Sequence, residues 1–177
     1  LLMNINSPRN IEQNKTSNEV SSQINQLNMN NGILQIHIVE NDDQVAEVLC
    51  SEFKEDLQSH PDGLNLIIPT GSTPKKFYQR LSETPNEEFA NLDALKVFRV
   101  EGFLGLDSQH EKSFDGYIKR KFFNAIGVTP DANNFYPLES IINVEDIDQA
   151  EVREHALQNY DQTIKQLGGL QKVILGV

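Results

Sequence analysis

Leu64-Asn65-Leu66-Ile67-Ile68-Pro69-Thr70-Gly71-Ser72-Thr73-Pro74-Lys75-Lys76-Phe77-Tyr78 reads as a strand that turns through a glycine and hydroxyl residues into a helix. Leu64, Leu66, Ile67 and Ile68 make a near-continuous apolar run, the pattern of a strand buried on both faces of a parallel sheet. Gly71 allows a sharp turn and a close approach to a ligand, Thr73 suits an N-cap, and Pro74 suits the first helical position because its missing N–H would be unpaired there anyway. The expected helix starts at Pro74. Its unpaired N–H groups and positive dipole end make Thr70, Gly71, Ser72 and Thr73 a candidate phosphate cradle. Lys75 and Lys76 sharpen this reading, since each cation in a first turn opposes the dipole by about 0.3–1 kcal/mol unless an anion is bound. The same residues also suit an ordinary strand-to-helix turn with a Thr cap and solvated lysines, and they match neither G-x-G-x-x-G nor the Walker pattern.

Working outward, 177 residues suit one domain with a tail. The 26 acidic and 15 basic residues give a net charge of −11. That balance argues against nucleic-acid and anionic-membrane partners while leaving room for a local basic pocket. A lone Cys50 excludes an internal disulfide framework and fits a reducing cytoplasm, and no apolar run reaches the roughly 18 residues of a membrane span. Cys50 has no His or basic neighbour in sequence and reads as a small packed side chain.

Residues 1–31 hold nine Asn with scattered apolar residues, so they read as a flexible, Asn-rich extension preceding an α/β domain at 32–177. Residues 33–39 read as a first strand and 41–58 as a helix with Asn41, Asp42 and Asp43 at its start. After the quoted stretch come a third strand at 95–100, a helix beginning at Ser113 or Asp115 and stopped by Gly127, a short extended piece at 135–138, a helix at 146–167 ended by Gly168 and Gly169, and a strand at 172–177. This alternation implies a parallel, Rossmann-like sheet with helices on both faces, whose ligands sit at the carboxyl ends of the strands. The loops at 70–74 and 101–112 both fall at that edge.

Two motifs then become recognisable. Thr70-Gly71-Ser72-Thr73-Pro74 resembles the phosphate loop of the glucosamine-6-phosphate deaminase and 6-phosphogluconolactonase family. Glu101-Gly102-Phe103-Leu104-Gly105-Leu106, followed by His110-Glu111-Lys112-Ser113-Phe114, resembles the D-E-Y-x-G-L and H-P-x-S-Y segments of its deaminase branch in the same register. The resemblance runs from about Ile33 to Val177. It implies a three-layer α/β fold of the sugar-phosphate isomerase/deaminase type. It further implies that Thr70, Gly71, Ser72 and Thr73 hold a sugar 6-phosphate and that Glu101 stands where the family has a catalytic aspartate. That aspartate moves the proton between C1 and C2 as glucosamine 6-phosphate becomes fructose 6-phosphate and ammonia. Gly102 lacks the family's adjacent acid, and Phe103 and Phe114 lack tyrosine hydroxyls.

In the family, the strand resembling residues 172–177 leads into a G-x-D-G-H-x-A segment, which supplies an acid and a histidine; the sequence given ends before it. The expectation is therefore the N-terminal part of such an enzyme, inactive by itself. A catalytically impaired phosphosugar-binding module and a lactonase remain alternatives. His37, His60 and His155 read as structural or solvated, and only His110 lies at the ligand edge. The acids and histidines show no metal-ligand spacing, and the implied chemistry uses no cofactor. A terminal strand without a covering helix leaves apolar surface, so homo-oligomer formation stays open.

Overall fold

The computed structural model describes residues 3–6, 23–29, 32–99, 102, 106, 110–137 and 149–176. Backbone contacts divide the chain into two units, residues 1–45 and residues 46–176. The first holds a three-stranded antiparallel sheet of β1 (Met3–Asn6), β2 (Gln23–Met29) and β3 (Gly32–Ile38) in the order β1-β3-β2. Two segments of the stretch expected as a flexible extension are thus strands. The described partners of β3 are these two, where the sequence pattern places it in the parallel sheet. Asn-rich backbone carries a full set of ladder donors and acceptors, and strand pairing draws on those groups whatever the side chains.

The helix α1 (Asp42–Ser59) begins where the sequence predicts it. The Asn41 side chain accepts from the Gln44 amide at 3.0 Å, satisfying one of the donors a helix start leaves open. The second unit then alternates β4 (Asn65–Ile68), α2 (Lys75–Glu83), β5 (Lys96–Arg99), α3 (Phe114–Ile118) with a π-helical turn over Lys119–Phe123, β6 (Phe135–Tyr136), α4 (Ala150–Gln166) and β7 (Lys172–Val173). Its four strands are parallel in the order β6-β5-β4-β7. The sequence expects a longer last strand and a helix from 146; residues 138–148 lie outside the described set, and α4 is described from Ala150.

Register shows how each strand serves two layers. Leu66 pairs with Val97 and Lys172, and Val97 with Phe135, which sets these residues on one face. On that face lie α1, α2 and the α3 segment: Phe53 meets Phe77 and Phe122 with ring centroids 6.3 and 5.8 Å apart, and Phe123 meets Phe135 at 5.4 Å. The opposite face carries Phe98, which stacks on Tyr136 at 5.0 Å and meets Tyr160 of α4 edge-on at 5.9 Å. The buried Asn65 side chain, on that same face, donates to the Leu167 and Gly169 carbonyls at 2.8 and 2.6 Å and so ties the end of α4 to β4. Helices thus cover both faces of a parallel sheet, the three-layer arrangement that strand and helix alternation demands.

Candidate functional site

The carboxyl ends of β4, β5 and β7 carry the loops in question. Gly71 has φ +86°, a conformation natural to glycine, and a Cβ there would meet nothing within 4 Å. The helix start differs from expectation by one residue: α2 runs from Lys75, Pro74 occupies the cap position, and no side chain caps it. Thr73 has a different task. A Cβ on Gly176 would sit 3.2 Å from both Cβ and Oγ1 of Thr73, so this threonine packs on the bare backbone that follows β7. The loops after two hydrogen-bonded strands close on each other there.

Three peptide planes of the corner are fixed by hydrogen bonds to their carbonyls. The Tyr78 hydroxyl donates to the Pro69 carbonyl at 2.6 Å, the Tyr117 hydroxyl donates to the Gly71 carbonyl at 2.6 Å, and the Lys75 amide donates to the Ser72 carbonyl at 3.2 Å. In a trans peptide the N–H points opposite to the C=O, so these bonds orient the amides of Thr70, Ser72 and Thr73. Among the described residues no acceptor takes the amides of Gly71, Ser72 or Thr73. Ser72 and Thr73 are exposed and Thr70 is half-buried, so free donors face solvent at the positive end of a nine-residue helix. Burial pushes the Tyr117 hydroxyl above its ordinary range, and more strongly that of Tyr78, which keeps both as donors.

Beside this corner, Arg99 at the tip of β5 pairs with Asp115 of α3, Nε to Oδ1 at 3.1 Å, with both side chains buried. Burial lowers the guanidinium's pKa and raises the carboxyl's, each against the attraction of the other. A Cβ on Gly102 would lie 1.6 Å from Nη1 of Arg99. The guanidinium therefore occupies the volume into which a side chain at 102 would project.

Glu101, the residue expected to act as base, lies outside the described residues, as do Phe103, Leu104 and Gly105. Ser113, one of two expected helix starts, caps α3 by accepting from the Gly116 amide at 3.3 Å. His110 is exposed at the start of that segment, where its Nδ1 accepts from the Lys112 amide at 3.1 Å. The His60 Nδ1 lies 2.8 Å from the Asp56 carbonyl oxygen at the end of α1, and His155 is exposed on α4. Two residues that the sequence pattern does not single out are Tyr117, within the expected helix before Gly127, and Arg99, within the expected strand at 95–100. The one legible sign of Arg99 is a cation amid an apolar strand followed closely by a glycine.

No family model matches the chain. A glucosamine-6-phosphate deaminase of Shewanella woodyi is 31% identical over 144 residues, covering 81% of this chain and 50% of the relative. Proteins of the same name from Clostridium tetani and Caenorhabditis elegans are 28% and 26% identical over 144 and 147 residues. They span 81% of this chain and 55% and 51% of their own lengths. The chain thus spans about half the length of the curated relatives it matches. Among solved structures, a monomeric glucosamine-6-phosphate deaminase superposes with a TM-score of 0.56 at 19% identity, covering 74% of this chain and 50% of that one, a likeness of fold. In its Thr70–Pro74 turn and its sequence over 81% of its length, the chain thus resembles the glucosamine-6-phosphate deaminases, and its parallel three-layer sheet shares the fold of one of them.

Proposed function

We propose that this chain supplies the phosphate-holding half of a glucosamine-6-phosphate deaminase, the enzyme that converts glucosamine 6-phosphate to fructose 6-phosphate and ammonia. The observation that carries the reading is the trio of pinned peptide planes after β4, next to Gly71, Ser72 and Thr73 amides that find no acceptor among the described residues at the start of α2. In this reading Thr70, Gly71, Ser72 and Thr73 bind the 6-phosphate through amide and hydroxyl donors, which hold the sugar's other end against the neighbouring strand tip. Glu101 then moves the proton between C1 and C2. A misplacement of its carboxylate by about 1 Å, the scale of one added methylene, costs on the order of 100-fold in rate.

A second reading, a phosphosugar-binding module without chemistry, is favoured by one observation: Arg99 fills the space beyond Gly102, where the family carries a second acid. Calorimetry of the chain with glucosamine 6-phosphate tests what both readings share. Binding that disappears in the Ser72→Ala, Thr73→Ala double variant supports it, and unchanged affinity refutes it. An assay for ammonia and fructose 6-phosphate separates the two: turnover selects the enzyme, while tight binding without turnover at high protein concentration selects the module.

A further inference from the structure

Along the flank of α2, from its first residue to near its end, runs an open groove of about 470 Å³, within the size range of small-molecule sites. One wall is Lys75, Gln79 and Ser82, spaced to share a single face of α2; the other is Arg120, Lys121 and Asn124 from the π-helical turn and its exit. Tyr78 and Tyr117 line it between them, their ring centroids 6.2 Å apart.

The charge in this groove runs against the rest of the molecule. In a chain of net charge −11, three cations converge and no acid is among the described lining residues. Several cations elsewhere find carboxylates: Lys54 meets Glu88 at 3.0 Å, Arg80 meets Glu47 at 3.4 Å, Arg99 meets Asp115 and Lys172 meets Glu52, while Lys96 donates to a backbone carbonyl and Lys119 lies over the Phe135 ring. Lys75 and Lys121 make no ion pair among the described residues, and Arg120 donates only to the Glu111 backbone carbonyl at 2.7 Å.

The wall bearing Arg120 and Lys121 is also irregular in a directed way. The Asn124 amide bonds the Lys119 carbonyl at 3.1 Å, the wider spacing of a π turn, a feature met frequently at functional sites. That turn buries two consecutive rings, Phe122 and Phe123, in the core while Arg120, Lys121 and Asn124 stay outward on the groove. From Lys75 to Ser82 the α2 wall is about 10 Å long at 1.5 Å per residue, longer than one phosphate group.

We infer that this groove is a second anion site, separate from the corner after β4, that takes a small polyphosphorylated molecule of the diphosphate or triphosphate class. Lys75, Arg120 and Lys121 neutralise the phosphoryl oxygens, with Arg120 offering the fork geometry that suits them. Gln79, Ser82 and Asn124 supply neutral donors. The Tyr117 hydroxyl, bound to the Gly71 carbonyl, connects the groove to the corner, so occupancy of one bears on the other. The inference does not depend on the sugar-phosphate reading.

Titration of the chain with inorganic pyrophosphate by calorimetry at low ionic strength tests it. Pyrophosphate is expected to bind, to bind less as salt is added, and to lose affinity about tenfold or more in the Arg120→Gln, Lys121→Gln variant. Both positions are exposed, and far-UV circular dichroism checks that the variant keeps its fold. The Ser72→Ala, Thr73→Ala variant should bind pyrophosphate as the parent does. No binding at millimolar pyrophosphate, or binding indifferent to Arg120 and Lys121, overturns the inference. Binding that follows Ser72 and Thr73 instead overturns it while leaving the sugar-phosphate reading in place.

Discussion

Gly102 and Arg99 share one volume. A guanidinium ordinarily swings aside at little cost, but this one is buried and held by Asp115 at 3.1 Å, so a methyl at 102 forces the pair apart. Gly102→Ala is therefore expected to lower unfolding free energy by about 1–3 kcal/mol in urea titration, the range for overpacking. The Arg99→Ala, Gly102→Ala double variant should lose less than the sum of its singles, because the clash disappears with the arginine. Gly71 presents the opposite case. Nothing crowds its Cβ position, so Gly71→Ala is strained only by φ +86°, and a loss of about 1–2 kcal/mol is expected in the same measurement. The turn at Gly71 was legible in the sequence, because glycine between hydroxyl residues after an apolar run has few other uses. The Arg99–Asp115 pair was not: the partners sit on different elements, and only the tertiary fold brings them together.

Among the elements, α1 is docked by a buried charge cluster. Lys172 on β7 reaches Glu52 at 2.7 Å and Asp56 at 3.0 Å. Burial works against its charge, yet the two carboxylates outweigh burial and raise its pKa. Lys172→Ala removes the cation that two partly buried carboxylates share, and a loss of about 3–5 kcal/mol is expected by thermal or urea unfolding. On α4, burial pushes the Tyr160 hydroxyl up from 10.0 to about 12. Both groups hold their protons more tightly when folded than unfolded. Their contribution is thus complete below pH 10 and declines as pH rises toward 12. Tyr160→Phe should flatten that alkaline decline in a pH series of urea unfolding, though it also removes the bond from the hydroxyl to the Tyr136 carbonyl. The sequence disclosed α1 through Asn41 and its inward stripe, and β4 and β5 through apolar runs. The π turn escaped it, because Phe122 and Phe123 keep apolar spacing compatible with an ordinary helix. The strands within residues 1–31 escaped it as well, since hydrophobic periodicity is the signal for a strand and Asn-rich segments carry little of it.

At the scale of the whole molecule, a net charge of −11 works against compactness. Raising sodium chloride from about 10 mM to about 0.3 M shortens the Debye length from roughly 30 Å to under 10 Å, so the melting temperature is expected to rise in calorimetric scans. A fall would mean that attractive pairs such as Lys54–Glu88 outweigh the general repulsion. The three-layer sheet was legible from alternation alone. The meeting of Thr73 with Gly176 was not, because strand order is written nowhere in local periodicity. That meeting has a kinetic corollary. The corner after β4 looks like a local motif of a few consecutive residues, yet one of its sides is built by Gly176, distant in sequence and brought there only after β7 has zipped onto β4. A ribosome emitting this polypeptide would have to pass Gly176 before the corner acquires its final shape, and an excised peptide of the quoted stretch should remain an unstructured, phosphate-blind fragment.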